Sequence, residues 1–162
     1  MPTIEDVYCK FGFVSEAAQL LETELGTVLF RESASETDLF NNPDPKVARE
    51  IYKKISTQTL GRLINNTKSK VKSLDSLSEL LSAALTERNR LAHSFFLEHN
   101  VRLRAENDRG RVLMIDDLER MHEIIFDAYK AVMLLSGIDL EKISGDDCHS
   151  VNSALPEHYK FP

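Results

Sequence analysis

Residues 77–96 read LSELLSAALTERNRLAHSFF, and the spacing of their apolar side chains decides the fold class. An α-helix turns by about 100° per residue, so positions three and four apart lie on one face. The apolar residues of this stretch keep that spacing and form one broad stripe, at Leu77, Leu80, Leu81, Ala84, Leu85, Leu91, Ala92 and Phe95. Such a stripe faces a core or a partner helix. We therefore predict a helix from about residue 76 to residue 98.

Three further stretches have the same helical spacing, at about residues 4–31, 45–72 and 116–136. The first is the clearest, because its apolar residues recur every three or four positions over many turns, at Val7, Phe11, Val14, Ala18, Leu21, Leu25 and Val28. These four stretches predict an all-α fold, in which helices bury their apolar stripes against one another.

The expected ends of these helices carry capping residues. Asp44 precedes Pro45, and a capping side chain followed by proline is typical of the start of a helix. Asp116 with Glu119 three residues later predicts a capping box at the start of the last helix. Gly137 predicts the end of that helix, because glycine accepts the left-handed conformation of a C-terminal cap.

Between residues 100 and 115 the period changes from helical to two. Val101 and Leu103 alternate with Arg102 and Arg104, and an Asn-Asp-Arg-Gly turn follows at residues 107–110. This pattern predicts a small β-hairpin at about residues 101–115.

The predicted architecture is a four-to-five-helix up-and-down bundle over residues 1–138, with the hairpin as an insertion. Residues 139–162 lack a strong period and predict an irregular C-terminal tail. Within that tail, Asp146, Asp147, Cys148 and His149 lie side by side. No second Cys/His pair stands at the spacing of a zinc site, so we predict a surface loop and no metal.

The composition is that of a single domain in a reducing compartment. The chain has 162 residues, a net charge of −6 and two cysteines. No apolar run approaches the roughly 20 residues of a membrane span, and the acidic N-terminus lacks the apolar core of a signal peptide. We therefore expect a cytoplasmic protein without a membrane partner. The net charge argues against binding of polyanions over the whole surface but is compatible with a local basic site.

Arg88 is the one charged residue in the middle of the apolar stripe. A buried guanidinium needs a carboxylate, another anion or an interface, and Glu24 and Glu123 are candidate carboxylates. Asn89 and His93 lie four residues apart on the flank of the same helix. In the simplest interpretation, Arg88 is an ion-pair partner within the core and His93 is a helix cap or a surface residue.

A single straight helix would not direct Arg88 and His93 at one site, because five residues on an ideal helix separate two side chains by about 140°. Three arrangements could still bring them together. They are the reach of the long arginine side chain, fraying of the helix near His93, and a second copy of the chain across a two-fold axis. In the last case two arginines and two histidines surround one cleft.

The string R-N-x-x-x-H at residues 88–93 resembles the signature of the HEPN superfamily, which is Arg, four to six residues, then His, often with a polar residue after the Arg. The resemblance implies a dimeric, metal-independent endoribonuclease of the toxin or antiviral kind, with no cofactor. His93 would then be the general acid or base, Arg88 would hold the scissile phosphate, and Asn89 would orient the phosphate or the imidazole. The products would be a 2′,3′-cyclic phosphate and a 5′-hydroxyl.

Two features limit what this resemblance implies. Some toxins of the superfamily carry a tyrosine two residues after the His, which a partner enzyme modifies, whereas this chain has Phe95 there. That form of control is excluded, while an antitoxin or another regulatory protein remains open. Some members keep the bundle without nuclease activity. The alternative is therefore a non-catalytic helical dimer that binds a nucleotide, RNA or a protein.

Positive charge is concentrated beside this string. Six arginines stand between residues 88 and 111, against three acidic residues. We predict that Arg90, Arg102 and Arg104 contact RNA. The competing interpretation is that Arg102 and Arg104 form only the solvated face of the hairpin.

Overall fold

The computed structural model describes residues 2–104, 108–140 and 142, and these are mostly helical. The described elements follow in the order α1 (Ile4–Glu36), α2 (Pro45–Ser56), α3 (Leu60–Lys70), a 3₁₀ helix (Lys72–Leu77), α4 (Ser78–His93), α5 (Phe95–Glu98) and α6 (Arg109–Leu135). No strand occurs in the described ranges, so the predicted all-α class is confirmed. No helix in these ranges is long and apolar enough to cross a membrane.

The long helices α1 and α6 form the centre of the bundle, and α4 packs on α6 while α2 and α3 pack on α1. On α6 the fully buried positions recur every three or four residues, at Gly110, Met114, Leu118, Met121, Ile125, Ala128 and Val132. The buried residues of α1 include most of those that the sequence predicts, with Phe11 and Val28 packed at the edge of the core. Burial of these stripes is the main stabilising term of the fold.

Two of the predicted helix ends are confirmed. Asp44 Oδ1 accepts a hydrogen bond from the Lys46 backbone N–H at 2.8 Å, with Pro45 in the first turn of α2. At the end of α6, Gly137 has a φ of 85°. The Ile138 N–H reaches back to the Met133 carbonyl at 3.0 Å, which closes α6 with a Schellman motif.

The predicted hairpin is wrong. Residues 101–104 form turns, residues 105–107 lie outside the described ranges, and residues 109–115 are the first two turns of α6. Gly110, Met114 and Leu118 are all buried at intervals of four, so the helical period outweighs the alternation of the short run between them. Asp116 consequently lies inside α6, and the predicted capping box at that residue is also wrong.

Two predicted helices are shorter than expected. The stretch 45–72 breaks at residues 57–59 into α2 and α3, and the stretch 76–98 begins with a 3₁₀ turn and breaks at Ser94. Of the predicted tail, residues 141 and 143–162 lie outside the described ranges.

Gly110 allows a close approach between α6 and the turn before it. A Cβ atom at this position would lie 2.6 Å from the Arg102 carbonyl oxygen, whereas a Cβ at Gly12 in α1 would meet nothing within 4 Å. We expect Gly110→Ala to lower the free energy of unfolding by about 1–2 kcal/mol. Gly12→Ala should instead raise it by about 0.5–1 kcal/mol, since alanine loses less backbone entropy in a helix. Urea unfolding of both variants measures the difference, and equal effects would contradict this packing.

Candidate functional site on helix α4

Arg88 lies on the core-facing side of α4, where its guanidinium meets a carboxylate from α1. Its Nε donates a hydrogen bond to Glu22 Oε1 at 2.9 Å, and its Nη2 lies 2.8 Å from the same oxygen in an ion pair. The two side chains are 28% and 29% exposed. The expected carboxylate exists, but it is neither of the two predicted ones. Glu24 instead accepts a hydrogen bond from Ser136.

Asn89 and His93 are both exposed on the same helix. Asn89 Oδ1 lies 3.5 Å from Arg88 Nη1, at the limit of a hydrogen bond. The His93 imidazole makes no hydrogen bond or ion pair with any residue that the structure describes. The contacts of one chain therefore join Arg88 to Asn89 but not to His93, and the imidazole faces solvent at the helix end.

Helix α4 ends at His93, the last residue of the R-N-x-x-x-H string. Ser94 leaves the helical conformation, with φ −132° and ψ −14°, and its N–H still bonds the Arg90 carbonyl at 2.9 Å. The short helix α5 then begins at Phe95. Because the helix stops here, the chain can change direction directly after the imidazole.

Arg90 is the centre of an ion-pair network that the sequence analysis does not predict. Its Nη1 and Nη2 atoms donate to the two oxygens of Asp117 on α6 at 2.9 Å and 2.5 Å, and its Nε donates to Glu98 at 2.7 Å. Asp117 also accepts from Arg120 at 2.7 Å. This Asp117 cluster (Arg90, Glu98, His99, Asp117 and Arg120) fastens α4 and α5 to α6, so the predicted RNA contact Arg90 is committed to carboxylates.

His99 extends the cluster toward the two other predicted RNA contacts. The ring is 3% exposed and its Nε2 lies 2.9 Å from Asp117 Oδ2. Arg102 Nη1 lies 2.9 Å from His99 Nδ1. A guanidinium can only donate, so Nδ1 accepts and the ring proton sits on Nε2, directed at Asp117. Arg102 is thus exposed but anchored, and Arg104 is exposed two residues later.

The ligand atoms of Glu98, His99 and Asp117 lie within 4.8 Å of one another, a spacing that could hold a cation. Both carboxylates already accept hydrogen bonds from Arg90, and Nδ1 of His99 accepts one from Arg102. A cation would have to displace two guanidinium groups. The geometry therefore favours an ion-pair network over a metal centre.

The pKa of Asp117 reflects this network. Burial acts to raise the pKa of the carboxyl, but hydrogen bonds from Arg90, His99 and Arg120 outweigh it and hold the pKa well below its usual range. The same contacts, to Asp117 first and then to Glu98, raise the pKa of the Arg90 guanidinium.

The lowered pKa of Asp117 predicts a pH dependence of stability. A carboxyl with a lower pKa in the folded state stabilises the fold above its unfolded pKa of about 4, and this contribution is lost as the pH falls further. We expect the free energy of unfolding to fall between about pH 4 and pH 2, and to fall less in Asp117→Asn. Urea titrations across this range measure both slopes, and parallel slopes would contradict the assignment.

An aromatic and aliphatic surface borders the end of α4. Tyr8, Phe96 and Leu97 are 51%, 36% and 73% exposed. The Phe96 ring lies 5.9 Å from Tyr8 and 5.0 Å from Phe11, measured between centroids. Phe95 is fully buried, in agreement with its predicted role in packing.

No family model, no curated protein and no solved structure matches this chain. The resemblance of residues 88–93 to the HEPN signature therefore stays a prediction that depends on those residues and on their place in the bundle.

Proposed function

We propose that this chain is a HEPN-type endoribonuclease of the toxin or antiviral kind, which cleaves RNA as a homodimer without a metal ion. One observation carries the proposal. Arg88 stands on the core-facing stripe of α4, is held by a single oxygen of Glu22 and stays 28% exposed, while Asn89 and His93 remain open to solvent. A guanidinium with one carboxylate oxygen as partner keeps donors for a phosphate.

The three side chains of the string divide the chemistry. A nitrogen of His93 takes the proton of the RNA 2′-hydroxyl, and the 2′-oxygen attacks the adjacent phosphorus. The bond from phosphorus to the 5′-oxygen breaks, and that oxygen takes a proton from an imidazolium. Arg88 stabilises the charge on the phosphate oxygens, and Asn89 orients Arg88 or the phosphate. The products are a 2′,3′-cyclic phosphate and a 5′-hydroxyl.

A second copy of the chain would bring an Arg88 and a His93 side chain to the same site. Arg88 is directed toward α1, and His93 lies about 140° away around α4, so a two-fold axis beside His93 would place both strings at one cleft. The exposed Tyr8, Phe96 and Leu97 next to that helix end supply apolar surface for such an interface. Arg102 and Arg104 remain proposed RNA contacts at its edge.

The second candidate function is a non-catalytic dimer that binds a nucleotide, RNA or a regulatory protein. The Arg88–Glu22 pair favours it, because this pair satisfies the guanidinium without a substrate. Only the first of the two functions yields cleaved RNA.

Incubation of purified protein with RNA of mixed sequence in EDTA tests the proposal. We expect cleavage to continue in the chelator and every new end to carry a 2′,3′-cyclic phosphate or a 5′-hydroxyl, which kinase labelling distinguishes. Fragments with 5′-phosphate ends, or activity that EDTA abolishes, would contradict the proposed mechanism.

A further inference from the structure

The segment that forms α2 and α3 is strongly basic in an acidic protein. Residues 45–72 contain eight lysines and arginines and one acidic residue, whereas the whole chain contains 20 and 26. The eight cations are Lys46, Arg49, Lys53, Lys54, Arg62, Lys68, Lys70 and Lys72. Such a separation of charge within one chain marks a surface that attracts a polyanion.

Most of these cations form no ion pair with a described residue. Within the part of the chain that the structure describes, Lys70 pairs with Glu36 and the other seven form no ion pair. Lysines on other elements do form ion pairs, with Lys10 on Glu119 at 2.8 Å and Lys130 on Asp127 at 2.8 Å. Unneutralised like charges repel each other and destabilise the helix that carries them.

Helix α2 orders three of these cations into a stripe. Lys46, Arg49 and Lys53 follow at intervals of three and four and are all exposed, whereas the one buried residue of α2 is Ile55. Tyr52 lies beside this stripe, three residues after Arg49, and is 65% exposed. An aromatic ring next to a row of cations is the arrangement that single-stranded nucleic acids bind.

A groove of about 420 Å³ lies between Tyr52, which stands beside this stripe, and α1. Its walls include the rings of Tyr52 and Phe30 and the polar side chains of Ser56 and Gln58. Glu22, the partner of Arg88, also lines it. The volume is within the range of small-ligand sites, and a carboxylate can accept hydrogen bonds from the amino group of a base.

We propose that α2 and this groove bind single-stranded RNA and lead it to Arg88. The phosphates lie along Lys46, Arg49 and Lys53, and one unpaired base stacks on Tyr52 at the mouth of the groove. The inference rests on the proposed function for the identity of the polyanion as substrate. A lipid surface is a poorer partner, because the apolar side of α2 packs on α1 through Ile55 and is not free to insert.

Binding of a fluorescein-labelled single-stranded RNA, followed by anisotropy over a series of salt concentrations, tests this surface. All proteins carry His93→Ala, so that the RNA stays intact. We expect the triple variant K46Q/R49Q/K53Q to lower the slope of log affinity against log salt by about 2, at about 0.7 per lost phosphate contact. The matched control K10Q/K130Q/K142Q removes the same charge from α1, from α6 and from the segment after α6, and its slope should stay as in the parent protein.

Tyr52→Ala separates stacking from charge. We expect it to weaken RNA binding by about 5- to 150-fold without changing the salt slope, since one stacked base is lost and no phosphate contact. The parent protein should bind the same sequence less tightly as a duplex, in which no base is free to stack.

The outcomes are distinct. Equal salt slopes for the triple variant and its control would overturn the inference, as would binding to phosphatidylserine vesicles in place of RNA. Binding with the expected slopes, together with wild-type protein that cleaves nothing in EDTA, would support this surface and reject the proposed function. Melting curves verify folding, and the triple variant should melt no lower than its parent because repulsion along α2 is relieved.

Discussion

Arg88→Ala is expected to lower the rate of RNA cleavage by about 100- to 1,000-fold and to change the free energy of unfolding by less than about 1 kcal/mol. The guanidinium is proposed to stabilise charge on the phosphate in the transition state, where each such donor has a large effect. Its ion pair with Glu22 is part-exposed, so water solvates the carboxylate that the substitution leaves behind. Cleavage rates and urea unfolding of the same preparation measure both effects.

Arg88→Lys is the matched variant for this prediction. It keeps the positive charge but loses the planar fork, so we expect cleavage to recover only in part. A loss of several kcal/mol in unfolding free energy, with cleavage per folded molecule unchanged, would assign Arg88 to the core and favour the non-catalytic dimer.

The second large effect is expected at Asp117. Asp117→Asn should lower the free energy of unfolding by about 2–3 kcal/mol, because the carboxylate accepts from Arg90, Arg120 and His99 and is only 14% exposed. An amide keeps the shape of the side chain but removes the charge, and its N–H₂ group faces donors. Chemical denaturation at neutral pH measures the loss.

Asp127→Asn is the control on the same helix. Asp127 pairs with Lys130 across one turn and is 56% exposed, so we expect a change below about 0.5 kcal/mol. If the two variants were equally stable, the Asp117 cluster would not hold α4 to α6 as described.

The sequence predicts most of the helices, because long apolar periods repeat over many turns. Leu21 and Leu25 on α1 and Met121 and Ile125 on α6 are all fully buried. Short segments are ambiguous, since a run such as residues 111–115 fits a strand and a helix equally well. The run is helical because Gly110 and Met114, four residues apart, are both buried and continue the period of α6.

The partner of Arg88 shows what a helical wheel predicts and what it leaves undecided. The sequence predicts that this arginine needs a carboxylate, and Glu22 supplies it. Glu22 and Glu24 stand on opposite flanks of the buried stripe of α1, so the choice between them depends on which flank meets α4. That contact is set by packing between helices far apart in sequence.

Two other features cannot be predicted without the fold, for the same reason. Arg90 and Asp117 are 27 residues apart, and no local spacing predicts that they meet. The basic character of residues 45–72 can be counted in the sequence. Two facts follow only from the packing of α2 on α1: seven of the eight cations there form no ion pair with a described residue, and Tyr52 of α2 lines a groove together with Glu22.

The most direct test of the proposed ribonuclease is the cleavage rate of His93→Ala in EDTA, compared with wild type at equal dimer content. His122→Ala, on α6, is the control, because this ring stacks on Phe126 and belongs to no part of the proposed site. We expect cleavage to fall by about 100- to 10,000-fold in His93→Ala and to stay near wild type in the control. Cleavage that survives His93→Ala unchanged would contradict the proposed mechanism.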